Sequence, residues 1–122
     1  MSFVPQDLIN RLDSISRDEL DRLNIGVVKL DSNGIAQIYN KVQGDLAGFS
    51  AADVEGKNWF TQVALCTNNR ICYGRFKKGV STGELDEEFN YTFTYKMKPT
   101  NVVIRLYKEN VSNSYWAFIK SA

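Results

Sequence analysis

Gly26-Val-Val-Lys-Leu-Asp-Ser-Asn-Gly-Ile-Ala-Gln-Ile-Tyr-Asn40 is where the chain changes period. Two short runs of β-branched and apolar residues flank Ser32-Asn33-Gly34, a turn-forming triplet, so the stretch predicts a β-hairpin over Gly26–Asp31 and Ile35–Asn40. Upstream, Leu8, Ile9, Leu12 and Ile15 fall at helical spacing. Ser16-Arg-Asp-Glu19 is a capping-box pattern that opens a second short helix carrying Leu20 and Leu23. Helices this short are marginal alone and must pack on something.

Downstream of the hairpin, Ser50-Ala-Ala-Asp53 repeats the capping pattern, Gly48 and Gly56 punctuate, and Asn58-Trp-Phe-Thr-Gln-Val63 reads as a short apolar turn. Tyr73–Thr82 predicts a longer helix with Phe76 and Val80 four apart, ended by Gly83. The last third alternates. Phe89–Tyr95, Asn101–Lys108 and Ser114–Lys120 predict three strands, with Pro99 between the first two. The plan is α+β: a five-stranded antiparallel sheet with helices over one face, divided into an N-terminal helical cap over 1–25 and a core over 26–122.

Composition narrows the chemistry. The chain has 122 residues, 43% of them apolar, and 15 basic against 14 acidic side chains give a net charge of +1. That balance gives no nucleic-acid footprint, and no apolar run approaches the ~18 residues of a membrane span. The N-terminus lacks the basic and apolar regions of a signal peptide, so a cytoplasmic, reducing location is expected, which suits free thiols. Histidine is absent altogether. Its absence removes Cys–His and Ser–His–Asp catalysis and the commonest metal ligand, so neither an enzyme nor a metal site is expected.

The two cysteines, Cys66 and Cys72, lie in Val63-Ala-Leu-Cys-Thr-Asn-Asn-Arg-Ile-Cys-Tyr-Gly74. A thiol enzyme or redox sensor would want a histidine or a C-x-x-C motif, and neither is present. The wider pattern is more specific. Gln37-Ile-Tyr-Asn40, Gly56-Lys-Asn-Trp-Phe60, Val63-Ala-Leu-Cys-Thr67, Tyr73-Gly-Arg-Phe-Lys77, Phe89 through Thr100 and Ser114-Tyr-Trp-Ala-Phe-Ile-Lys120 resemble the photoactive yellow protein family along essentially the whole chain.

That resemblance implies a PAS fold and a blue-light receptor carrying 4-hydroxycinnamic (p-coumaric) acid as a thioester on Cys66, with Cys72 structural. It assigns hydrogen bonds to the chromophore's phenolate to Tyr39 and Gln43. Ala47, Phe49, Phe60, Thr67, Phe93, Tyr95 and Met97 would line the pocket. Trans–cis isomerisation would be followed by protonation of the chromophore and release of the cap. The expected partners are the covalent chromophore and an unidentified downstream signalling protein; no nucleic acid or membrane is expected, and the chain is expected to act as a monomer.

Three departures from the family pattern carry consequences. Gln43 replaces a glutamic acid; an amide can donate a hydrogen bond but has no proton to give up in the useful range. Ala47 replaces a threonine that supports the tyrosine. Phe49 replaces an arginine over the pocket, exchanging a cation for an apolar lid. A pocket that holds a phenolate must offer donors, because a phenol titrates near pH ~10 in water and burial raises that further.

Overall fold

The computed structural model describes residues 2–94 and 99–122. Tyr95 and Met97, both expected in the pocket, lie outside the described residues. The expected hairpin forms as β1 (Gly26–Leu30) and β2 (Ala36–Tyr39), with Val28 opposite Tyr39. The Asp31 carboxylate holds the turn between them by accepting the N–H groups of Asn33 and Ile35.

Three further strands, β3 (Asp86–Phe93), β4 (Thr100–Glu109) and β5 (Ser114–Ser121), complete an antiparallel sheet ordered β2-β1-β5-β4-β3. β3 starts three residues before the expected Phe89. The charged run Asp86-Glu-Glu88 conceals it, because an edge strand need not alternate apolar and polar residues. Arg105 on β4 reaches diagonally to this end of β3, where its guanidinium grips the Asp86 carboxylate through two bonds of 2.8 and 3.0 Å.

Between β2 and β3 run α3 (Lys41–Ala47), α4 (Ala51–Val54), a π-helical turn at Trp59–Val63, a 3-10 turn at Leu65–Thr67 and α5 (Tyr73–Thr82). Their starts and stops follow local chemistry. Ser50 caps α4 by accepting the Asp53 N–H, Asn58 caps the π-turn, and Gly83 ends α5 at a left-handed φ of 80°.

Helices cover both faces of the sheet, not one. Alternation along β5 divides the two layers: Tyr115, Ala117 and Ile119 face the α3–α5 layer, while Trp116 and Phe118 face the other side. That other side is covered by the N-terminal segment. Its α1 (Gln6–Ile9) is a single turn, shorter than the spacing of Leu8, Ile9, Leu12 and Ile15 suggests; the chain continues in turns that still bury Leu8, Ile9 and Leu12. Tertiary burial, not helix length, places those side chains. In α2 (Arg17–Asp21) the Ser16 hydroxyl accepts the Glu19 N–H, as the capping pattern requires.

Candidate functional site: a small cavity beside Cys66

One cavity lies between the inner face of the sheet and the helical layer. Tyr39, Gln43, Ala47, Phe49, Trp59, Val63, Ala64, Cys66 and Phe93 line it, and its volume is about 20 Å³. That is roughly room for one water molecule.

Each polar group reaches the cavity through a local device. Tyr39 is the last residue of β2 and Gln43 sits in α3; between them Asn40, with an extended backbone, caps the helix by accepting the Gln43 N–H. Tyr39 and Gln43 therefore meet across a strand-to-helix junction. Both are 1% exposed. The Tyr39 hydroxyl donates to the Gln43 backbone carbonyl at a long 3.4 Å. Burial pushes the Tyr39 phenol well above its ordinary value, with the Gln43 side chain opposing, so it stays protonated at neutral pH and remains a donor.

Gln43 Oε1 is buried and without a hydrogen-bond partner among the described residues. An orphan of this kind costs about 1–3 kcal/mol. The amide fits only because residue 26 is glycine: a Cβ there would lie 2.1 Å from Oε1. Gly26 shares the inward face of β1 with Val28 and Leu30, so Gln43 occupies the space its missing side chain leaves.

The cysteine end is built from the Leu65–Thr67 turn. The Cys66 carbonyl accepts from the Tyr91 hydroxyl on β3 and from Asn69 Nδ2 at 3.1 Å. The Asn69 carboxamide oxygen also accepts the N–H groups of Ile71 and Cys72 where α5 begins. These bonds leave the Cys66 thiol half-buried at the cavity wall. Cys72 precedes α5 and is fully buried in the core; burial pushes its thiol up to about 12, with Cys66 adding and Arg75 opposing.

Six of the described expected site residues, Tyr39, Gln43, Ala47, Phe49, Cys66 and Phe93, share this cavity. Phe60 and Thr67 do not line it. Phe60 turns away to stack on Tyr73 with ring centroids 4.5 Å apart, and its neighbour Trp59 forms the wall instead. The buried Thr67 hydroxyl is used up on the Ala64 carbonyl, at 2.6 Å. Trp59, Val63 and Ala64 are the lining residues that the sequence reading missed. Phe49 and Tyr39 also line a surface groove of about 640 Å³ between α2 and α3, so Phe49 is the partition between cavity and solvent. Among the described residues no cluster of Cys, Asp and Glu could hold a metal ion.

No family model matches the chain. The architecture matches the PAS domain of an HTR-like protein from Haloarcula marismortui over 97% of this chain and 100% of that one, with a TM-score of 0.63 at 13% identity. The fold is a PAS fold. A solved photoactive yellow protein domain, from the sensor histidine kinase Ppr of Rhodospirillum centenum, is more similar: 36% identity, a TM-score of 0.86, and coverage of 92% of this chain and 98% of that domain. The photoactive yellow protein of Rhodothalassium salexigens is 37% identical over 120 residues, spanning 98% of this chain and 96% of that protein. The chain belongs to the photoactive yellow protein family.

Proposed function

We propose that the chain is a blue-light receptor carrying p-coumaric acid as a thioester on Cys66. The observation that carries this reading is that a half-buried thiol and a buried tyrosine–glutamine pair line one apolar cavity in a member of this family. The bound p-coumaroyl group would supply visible absorption and light-driven trans–cis isomerisation about its vinyl bond.

The protein's residues supply the rest. Cys66 is an anchor and not a nucleophile that turns over. Tyr39, held neutral by burial, donates its O–H toward a phenolate, and the Gln43 amide, turned so that its N–H₂ faces the cavity, donates beside it. Charge-assisted bonds of this kind contribute roughly 1.5–3 kcal/mol each, so two of them hold an anion that burial disfavours. Gln43 cannot supply a proton after illumination; the proton must come from solvent. Phe49 shields the anion from water, and at about 20 Å³ the cavity must open at that partition to admit a hydroxycinnamoyl group.

Asn40 links this end of the cavity to the cap. Its Oδ1 accepts the N–H groups of Val27 and Gln43, while Nδ2 donates to the carbonyls of Leu20 at 2.8 Å and Ile25 at 3.0 Å. A shift of Gln43 therefore pulls on the residues that dock the cap. We assign residues 1–25 as a separable output element, released by illumination and read by a downstream protein, because short helices held by tertiary contacts open at low free-energy cost.

Reconstitution with p-coumaric anhydride tests the attachment. The expected result is a yellow protein heavier by one coumaroyl group, retained in Cys72→Ala and lost in Cys66→Ala. A colourless Cys72→Ala beside a pigmented Cys66→Ala overturns the assignment. Iodoacetamide on the unpigmented native protein should label Cys66 well before Cys72.

A further inference from the structure

Glu55 ends α4 on the open side of β2, and its carboxylate is shared between two partners 38 and 16 residues away in sequence. Arg17, on cap helix α2, grips it with both terminal guanidinium nitrogens, Nη1 to Oε2 at 2.6 Å and Nη2 to Oε1 at 3.0 Å. The same Oε2 accepts the backbone N–H of Tyr39 at 3.1 Å. This N–H has no partner on β1. The Asn40 N–H donates to the Val27 carbonyl, and antiparallel alternation then turns the Tyr39 N–H to the free edge of the sheet. The edge N–H held by this carboxylate belongs to the tyrosine that lines the cavity.

We propose that Glu55 is a positioning residue for Tyr39, and that Arg17 makes this positioning depend on whether the cap is docked. The inference rests on the reading of Tyr39 as a phenolate donor. With Arg17 in place, the Glu55 carboxylate is fixed by two charge-assisted bonds and holds the Tyr39 backbone, and with it the ring, in register. With the cap undocked, Glu55 loses its cation and turns to water. Tyr39 then loses its edge partner and its hydroxyl becomes less well placed. Coupling of this kind is reciprocal: displacing Tyr39 from inside weakens the hold of Glu55 on Arg17, giving the cavity a second line to the cap besides Asn40.

Three variants separate this from a merely structural ion pair, read by the Tyr39 amide resonance in NMR and by chymotryptic cleavage within residues 2–25. Arg17→Gln should shift the Tyr39 amide resonance and speed cleavage about two- to fivefold, the range of a partly exposed ion pair. Glu55→Ala should shift the amide further, because the acceptor itself is gone. The charge swap Arg17→Glu with Glu55→Arg should restore protection of the cap but not the Tyr39 resonance, since a guanidinium cannot accept a hydrogen bond. In pigmented protein, the variants that move the Tyr39 resonance should also move the absorption band. If Arg17→Gln leaves the Tyr39 resonance where it was while speeding cleavage, the pair is only a surface clamp and the proposal fails. Failure to take up chromophore at all would instead count against the light-receptor reading, leaving the NMR and cleavage results to decide the coupling on their own.

Discussion

The two faces of the sheet are packed by opposite strategies. The outer face is well filled and thinly covered: the Trp116 and Phe118 rings lie near-parallel with centroids 6.2 Å apart beneath two helices of four and five residues. The inner face is heavily covered and imperfectly filled, with a small cavity, an unpartnered buried amide oxygen and an aromatic cluster of Trp59, Phe60, Tyr73 and Phe76 behind it. On the proposed reading, the incompletely packed face takes the ligand, and the marginal secondary structure over the other face is the element that leaves.

The largest expected effects come from truncating one tryptophan on each face. Trp59→Ala and Trp116→Ala should each cost about 3–5 kcal/mol in chemical denaturation, since both side chains are fully buried. Only Trp59→Ala should change the colour of reconstituted protein, because Trp59 alone of the two lines the cavity. Equal spectral effects would erase the distinction between the faces.

Gln43 sharpens the contrast at the next level. Gln43→Leu removes the orphaned oxygen at similar volume and should stabilise the unpigmented protein by about 1 kcal/mol. The same variant, when pigmented, should hold the phenolate poorly, which a raised apparent pKa in an absorption titration would reveal. Gln43→Glu should shift absorption to the blue of the unsubstituted protein, because a carboxylic O–H pins ground-state charge on the phenolic oxygen more strongly than an amide N–H. A protonated-carboxyl loss on illumination should appear in infrared difference spectra only in that variant.

Acid should loosen the outer face through Glu55. The Arg17 guanidinium, helped by the Tyr39 N–H, holds this carboxyl below its ordinary 4.5 against the opposing effect of burial. Its stabilising contribution is therefore complete above pH 4.5 and is lost as pH falls through the lowered folded-state value. Chymotryptic cleavage of the cap should accelerate over that window in the native protein and change less in Arg17→Gln. Gly26→Ala acts on the inner face. The added methyl would overlap Gln43 Oε1 and crowd its Cβ in a fully buried place, so it should move the absorption band and cost about 1–3 kcal/mol in chemical denaturation.

Legibility in the sequence followed the range of each interaction. The hairpin, both serine caps and the glycine that stops α5 are decided within a few residues, and local chemistry names them. The first three residues of β3 were hidden because their partner, Arg105, is 19 residues from Asp86. Trp59 and Phe60 are adjacent on a π-helical turn, whose unusual winding gives no periodic rule for which ring faces the cavity. Asn40 as the cap that separates Tyr39 from α3 was a local signal overlooked. Gln43 was legible as a site residue only through family resemblance, since a glutamine in an amphipathic stretch ordinarily faces water.

Deuterium uptake by residues 2–25 of the pigmented protein, compared in darkness and under continuous blue light, tests most directly whether an event on the inner face opens the outer one. The expected result is faster uptake across α1 and α2 in the light, reversed in darkness, with β4 and β5 unchanged. Bleaching of the pigment with no change in uptake across residues 2–25 would contradict the account.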